Sequence, residues 1–182
     1  MKRLQQLSQA LMASILALGV GASAANNPSA QAVQLSGGRT SFGVPFQLGE
    51  SRTTQASVRF RGATYYFTFD LPKTATQPLH RVTIQQQRGI LVEFDSARTK
   101  AYLNREPKQT SKLGEVKVNP TTQEVDIVFD PPIQPGQTVT VGIGPFENPS
   151  LAGVYQFGVK AYPQGSQPQE QFLGYGPLRF FD

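Results

Sequence analysis

The sequence predicts an all-β fold, an immunoglobulin-like antiparallel β-sandwich, and three observations carry that reading. Short runs alternate apolar with mostly polar residues at period two: Val125, Ile127 and Phe129 against Glu124, Asp126 and Asp130, then Val139, Val141 and Ile143 against Thr138, Thr140 and Gly142. Turn residues punctuate the chain every dozen or so positions, and no stretch has a convincing helical period. About eight to ten short strands of this kind are the signature of a sandwich, and their shortness and charged polar faces set it apart from an outer-membrane barrel.

The chain opens with Lys2 and Arg3, continues through an apolar run of 11 residues from Ala10 to Val20, and reaches small residues around Ser23. This predicts a cleaved signal peptide over residues 1–24, the run being too short for a membrane span. Residues 25–32 are expected to be a flexible N-terminus and 33–182 a single domain. With 0 cysteines, stability must come from packing and hydrogen bonds. Lys2 and Arg3 supply two of the charges behind the formal +5, so the exported chain is only mildly basic and no nucleic-acid partner is expected.

Taken in order, Val33 with Leu35 and Phe42 with Val44 read as short edge strands around a Gly37-Gly38 turn, and 47–55 as a polar connection. Ser57 to Leu71 is the richest strand signal, but its apolar parity changes at Gly62, which predicts a bulge or bend there. Val82 and Ile84 mark the next strand, and Ile90, Val92 and Phe94 another. Residues 96–113 are polar and basic without a sustained period, and are expected to form a long loop with at most a helical turn or short strand near Tyr102. Glu115 to Phe129 reads as a hairpin with Lys117 opposite Glu124 or Asp126. Pro131 and Pro132 are expected to stop its second strand, and Gln134-Pro135-Gly136-Gln137 fits a type II turn. Tyr155, Phe157, Val159 and Ala161 give a further strand, and Leu178 with Phe180 a last edge strand.

Few side chains offer chemistry. His80 is the one histidine, without a nucleophile elbow, so a serine-hydrolase triad and a zinc or copper site are both unsupported, and no cofactor is expected. Glu93 with Asp95, Glu124 with Asp126, and Asp126 with Asp130 alternate as carboxylate pairs, the pattern a hydrolase of envelope polymers would use, although acids on solvated strand faces are the commoner case. Arg59 and Arg61 share a predicted strand face, while Arg98, Lys100, Arg105, Lys108 and Lys112 crowd the predicted loop. These are candidates for an anionic polymer or an acidic protein face. Tyr65, Tyr66, Tyr162 and Tyr175 are candidates for stacking on sugar, with Tyr65 assigned to the core by its parity.

The blocks GATYYFTFDLP (62–72), LGEVKV (113–118), FDPPIQPGQTVTVGIGPFENP (129–149), GVYQFGVKAYPQG (153–165) and QFLGYGPLRF (171–180) resemble, in that order, an exported family of unknown function found mainly in cyanobacteria, domain of unknown function 2808. The resemblance implies an exported single-domain protein and carries over no catalytic residues. The expected role is a non-enzymatic binding or structural module, periplasmic or extracellular, recognising an envelope protein or polysaccharide. The candidate ligand-binding residues are Arg59, Arg61, Arg98, Lys100, Arg105, Tyr162 and Tyr175.

Overall fold

A computed structural model describes residues 34–35, 38–106 and 108–182. The expected signal peptide, the flexible segment over 25–32, Val33 and Gly37 lie outside the described residues. Among the described residues twelve strands follow in chain order: β1 (Gln34–Leu35), β2 (Arg39–Thr40), β3 (Leu48–Thr53), β4 (Tyr65–Asp70), β5 (Leu79–Arg88), β6 (Phe94–Leu103), β7 (Thr110–Ser111), β8 (Leu113–Val118), β9 (Val125–Ile133), β10 (Thr138–Pro145), β11 (Gly153–Pro163) and β12 (Gln171–Phe180). Apart from the small β1-β2 pair they form two five-stranded antiparallel sheets, ordered β3-β4-β10-β6-β7 and β12-β11-β5-β9-β8, which makes the protein an all-β, immunoglobulin-like sandwich.

Period-two alternation fixes which side of each strand faces in. Tyr65, Phe67 and Phe69 of β4 and Val139, Val141 and Ile143 of β10 meet Ile127 of β9 and Phe157 of β11, all fully buried. Phe67 packs edge-on against Phe157 across the sheets, ring centroids 5.7 Å apart. Among the described residues, the core runs from Phe42 to Phe180.

Several expectations need correction. Residues 47–55 contain β3, which pairs with β4, and 96–113 are mostly β6 and β7 rather than a long loop. Both strands turn small or polar residues inward, Ala101 of β6 being the clearest case, so the apolar period that marks a strand is missing. Phe42 and Val44 pack as a loop instead of a strand. Ile90 and Val92 also lie in a loop, because the side-chain amide of the buried Gln86 accepts from Val92 N at 2.9 Å and donates to the carbonyls of Arg88 and Ile90. The ladder begins only at Tyr65: Val58 and Arg59 form a turn, with Arg59 at φ 54° and Gly62 at φ 98°, so the change of parity marks a bend between loop and strand.

Pro131 and Pro132 do not end β9, which continues to Ile133 opposite Leu79. The register with β5 shifts between Leu79 and Arg81, which leaves the two prolines where no ladder N–H is needed. The Gln134–Gln137 turn forms as expected, with Gly136 at φ 87°, and leads the chain from one sheet into the other. Of the two hairpin registers the structure adopts the one with Lys117 opposite Asp126. Neither ion pairs with the other: Lys117 meets Glu115 at 2.9 Å and Asp126 meets Arg81 at 3.4 Å.

Candidate functional site

Alternation that sends Val82, Ile84, Phe157 and Val159 inward sends Thr83, Gln85, Gln87, Gly158 and Lys160 to the outer face of the β12-β11-β5-β9-β8 sheet. Register places Gly158 between Tyr175 of β12 and Gln85 of β5, and Lys160 between Phe172 and Thr83. The result is a trough of about 310 Å³ with a bare backbone floor at Gly158. A methyl group there would stand 3.4 Å from the Gln87 side chain and 3.5 Å from the Phe172 ring, so glycine keeps the floor open.

One wall is aromatic. Phe172 and Tyr175 are 49% and 56% exposed, unusual for rings this large, and contact each other edge-on with centroids 5.0 Å apart. The opposite wall is polar, made by Gln85 and Gln87, whose amides bond to each other at 3.2 Å, and by Glu124. Glu170 closes one end: its carboxylate accepts from Lys160 Nζ and from the Tyr162 hydroxyl, both at 3.1 Å. The Lys160 hydrogen bond holds the Glu170 carboxyl below the usual carboxylate range, and the same bond raises Lys160. Burial, and then the bond to Glu170, push Tyr162 up. The Arg81 guanidinium stacks 3.9 Å above the Tyr162 ring and bonds to Asp126. Apolar ring surface facing a row of groups that both donate and accept is the chemistry that packs a pyranose face while bonding its hydroxyls.

The expected site residues are distributed over the molecule. Tyr175 lines the trough, and Tyr162 supports it through Glu170. Lys100 is on the outer face of the other sheet, across Gly142 from Tyr66. Arg105 lies near Asp70 at 3.7 Å, beside a smaller hollow of about 140 Å³ between Tyr66 and Tyr102. Arg98 donates to the carbonyls of Pro145 at 2.7 Å and Ala63 at 2.9 Å, tying β6 to the neighbouring strand ends. Arg59 and Arg61 sit in the turn before β4, with Arg61 bound to Glu147 at 2.8 Å. The basic residues thus form no single patch. Sequence reasoning missed Phe172, Gln85, Gln87, Gly158 and Glu170. The signal for three of them was present in the alternation of Thr83-Gln85-Gln87 and Gln156-Gly158-Lys160 on neighbouring strands.

Fold and trough define the class: a β-sandwich with an open, ligand-sized depression on one sheet face. The family model described as "Protein of unknown function (DUF2808)" matches residues 39–180, and the chain belongs to that family. No curated protein matches significantly. Among solved structures, the collagen-binding domain from a Staphylococcus aureus adhesin is similar at TM-score 0.43 and 10% identity, covering 75% of this chain and 97% of that one. The N-terminal domain of the Streptococcus gordonii adhesin Sgo0707 is similar at TM-score 0.48 and 11% identity, covering 78% of this chain and 33% of that one. The bacterial hydrophobin BslA is similar at TM-score 0.34 and 12% identity, covering 73% of this chain and 93% of that one.

Proposed function

We propose that this protein is an exported, non-enzymatic binding module of the cell envelope, cyanobacterial as its family resemblance implies, and that its trough holds a polysaccharide chain. The observation that carries the reading is the exposed Phe172–Tyr175 pair facing Gln85, Gln87 and Glu124 across the open floor at Gly158. Export, to the periplasm or beyond, is supported by the signal-like composition of residues 1–24. Of the alternating carboxylates that an envelope hydrolase would use, three are engaged elsewhere: Asp95 accepts from Ala97 N, Asp126 pairs with Arg81 and Asp130 with Lys112.

The test is co-sedimentation of residues 25–182 with peptidoglycan, outer membrane and surface polysaccharide fractions at low and high salt. Pelleting with a polysaccharide fraction is expected to survive high salt, because ring packing and neutral hydrogen bonds are not screened as ion pairs are. Tyr175→Ala combined with Phe172→Ala should weaken it about tenfold, the effect of losing roughly 1.4 kcal/mol of ring packing. Pelleting that vanishes in salt and responds instead to Arg59→Ala or Lys100→Ala would replace the trough with the basic residues.

A further inference from the structure

Among the described residues, nine large apolar side chains are exposed, and two of them, Phe172 and Tyr175, belong to the trough. The other seven converge on one end of the sandwich. Phe60 comes from the β3–β4 link, Ile90 and Leu91 from the β5–β6 loop, and Phe146 and Leu151 from the β10–β11 loop. Val154 at the start of β11 and Phe181 just past β12 complete the group, with exposures from 40% at Phe60 to 60% at Phe181.

These tips are held in place. Buried Asn148 donates to the carbonyls of Gln55 and Ser57 at 3.0 and 2.8 Å and accepts from the Tyr65 hydroxyl at 2.9 Å. Its backbone N–H bonds to Phe60 O at 2.8 Å, while Val58 N bonds to Phe181 O at 2.9 Å, so three of the apolar segments are stitched together. The Gln86 amide fixes the loop that carries Ile90 and Leu91, and Gln123 fixes Phe94 N behind it. A fixed apolar surface is pre-organised for a partner, since little side-chain or loop entropy is left to lose on binding.

We propose that this end is the interface of a two-fold symmetric dimer, its occupant a second copy of the chain. Two observations select that partner. The first is area: seven such side chains, each about half exposed, offer on the order of 600 Å² of apolar surface per copy, and a standard interface buries about 800 Å² per partner, of which about 65% is apolar in homodimers. The second is the rim. Arg59, Arg88 and Arg179 have no ionic partner within the described residues, and neither do Glu93 and Asp182, while Arg61 and Glu147 are already paired. A rim carrying both signs is self-complementary under a two-fold axis, whereas an anionic lipid surface would favour positive charge alone. None of the seven exposed apolar side chains lines the trough, so the dimer would present two troughs.

Sedimentation velocity of residues 25–182 over a concentration series is expected to show a monomer–dimer equilibrium. Phe146→Ser combined with Leu151→Ser should weaken dimerisation at least tenfold, whereas Phe172→Ser, an equally exposed ring outside this end, should leave it unchanged. Hydrogen exchange of the unmodified protein gives a second readout: amides of 146–151 and 89–92 should gain protection as concentration rises. A monomer at all concentrations, a dimer indifferent to the double substitution, or protection of these loops by phosphatidylglycerol vesicles in place of self-association would overturn the proposal.

Discussion

At the apolar end of the sandwich the loops are tied by buried side-chain amides, those of Asn148, Gln86 and Gln123, at 3% to 9% exposure. The opposite end, where Gln134–Gln137 joins the sheets, is tied by backbone bonds and by exposed ion pairs. There Gly136 N and Leu71 N bond to Leu71 O and Gln137 O at 2.8 and 3.0 Å. Arg105 pairs with Asp70 at 3.7 Å, Lys112 with Asp130 at 3.6 Å and Lys160 with Glu170 at 3.1 Å. The loops of this second end expose none of the nine large apolar side chains. A loop that can shift with water needs only screened charges to guide it, whereas loops that hold phenylalanine and leucine out of the core need bonds that water cannot replace.

The sharpest way to break this contrast is Asn148→Ala, which removes three side-chain hydrogen bonds and strands the Tyr65 hydroxyl against the core. The expected loss is about 3 to 4 kcal/mol, read as a lower urea midpoint. Burial already pushes Tyr65 well above the ordinary tyrosine range of about 10, so its neutral form is the one the fold keeps. The folded protein therefore retains a proton that the unfolded chain releases, and stability, complete below about pH 10, should fall as pH rises above it. Tyr65→Phe should flatten that alkaline decline.

Glycine substitutions sharpen the comparison at matched backbone geometry. Gly89 and Gly136 have φ 101° and 87°, so alanine is strained at both. At Gly89, in the apolar end, the new methyl would also overlap the ring of the buried Tyr155, which is pinned by its hydroxyl bond to Leu151 O at 2.9 Å. At Gly136 it would meet only the flexible Lys73 side chain, at 2.8 Å from Cγ. Gly89→Ala should cost about 3 kcal/mol and Gly136→Ala about 1 kcal/mol. Equal midpoints for the two variants would show that the ends do not differ in rigidity.

The sequence made the two ends unequally legible. Pro135 and Gly136 announce their turn because each residue forces a backbone angle, and that turn forms where expected. The apolar end misleads for the opposite reason: Ile90, Val92 and Phe94 alternate like a strand, but the alternation belongs to a loop clasped by Gln86, whose role no local pattern encodes. Phe60 likewise falls in the stretch from Ser57 to Leu71 that reads as the richest strand, and is exposed in a loop. The trough was half visible. Tyr175 and Tyr162 stood out by type, whereas Phe172 was hidden because β12 changes parity beyond it, around Gly174 at φ 121°, and because the β11 register shifts between Val159 and Lys160. Alternation reports which face is buried; it does not report which outward residues from different strands become neighbours.

The smallest expected effect lies at the polar end, in Glu170→Gln. Lys160 holds the Glu170 carboxyl below its ordinary range, so the pair's contribution is present at neutral pH and disappears as pH falls through that depressed value. Both side chains are more than a third exposed, 40% and 52%, so the contribution is at most about 1 kcal/mol. Its trace should be local. In the unmodified protein, acid or molar salt should loosen amides of 164–170 in hydrogen exchange while leaving 146–149 protected, and in Glu170→Gln the first segment should already be loose at neutral pH and indifferent to salt. Loss of protection at both ends together in salt would mean that charge, rather than the buried amides, also holds the apolar end.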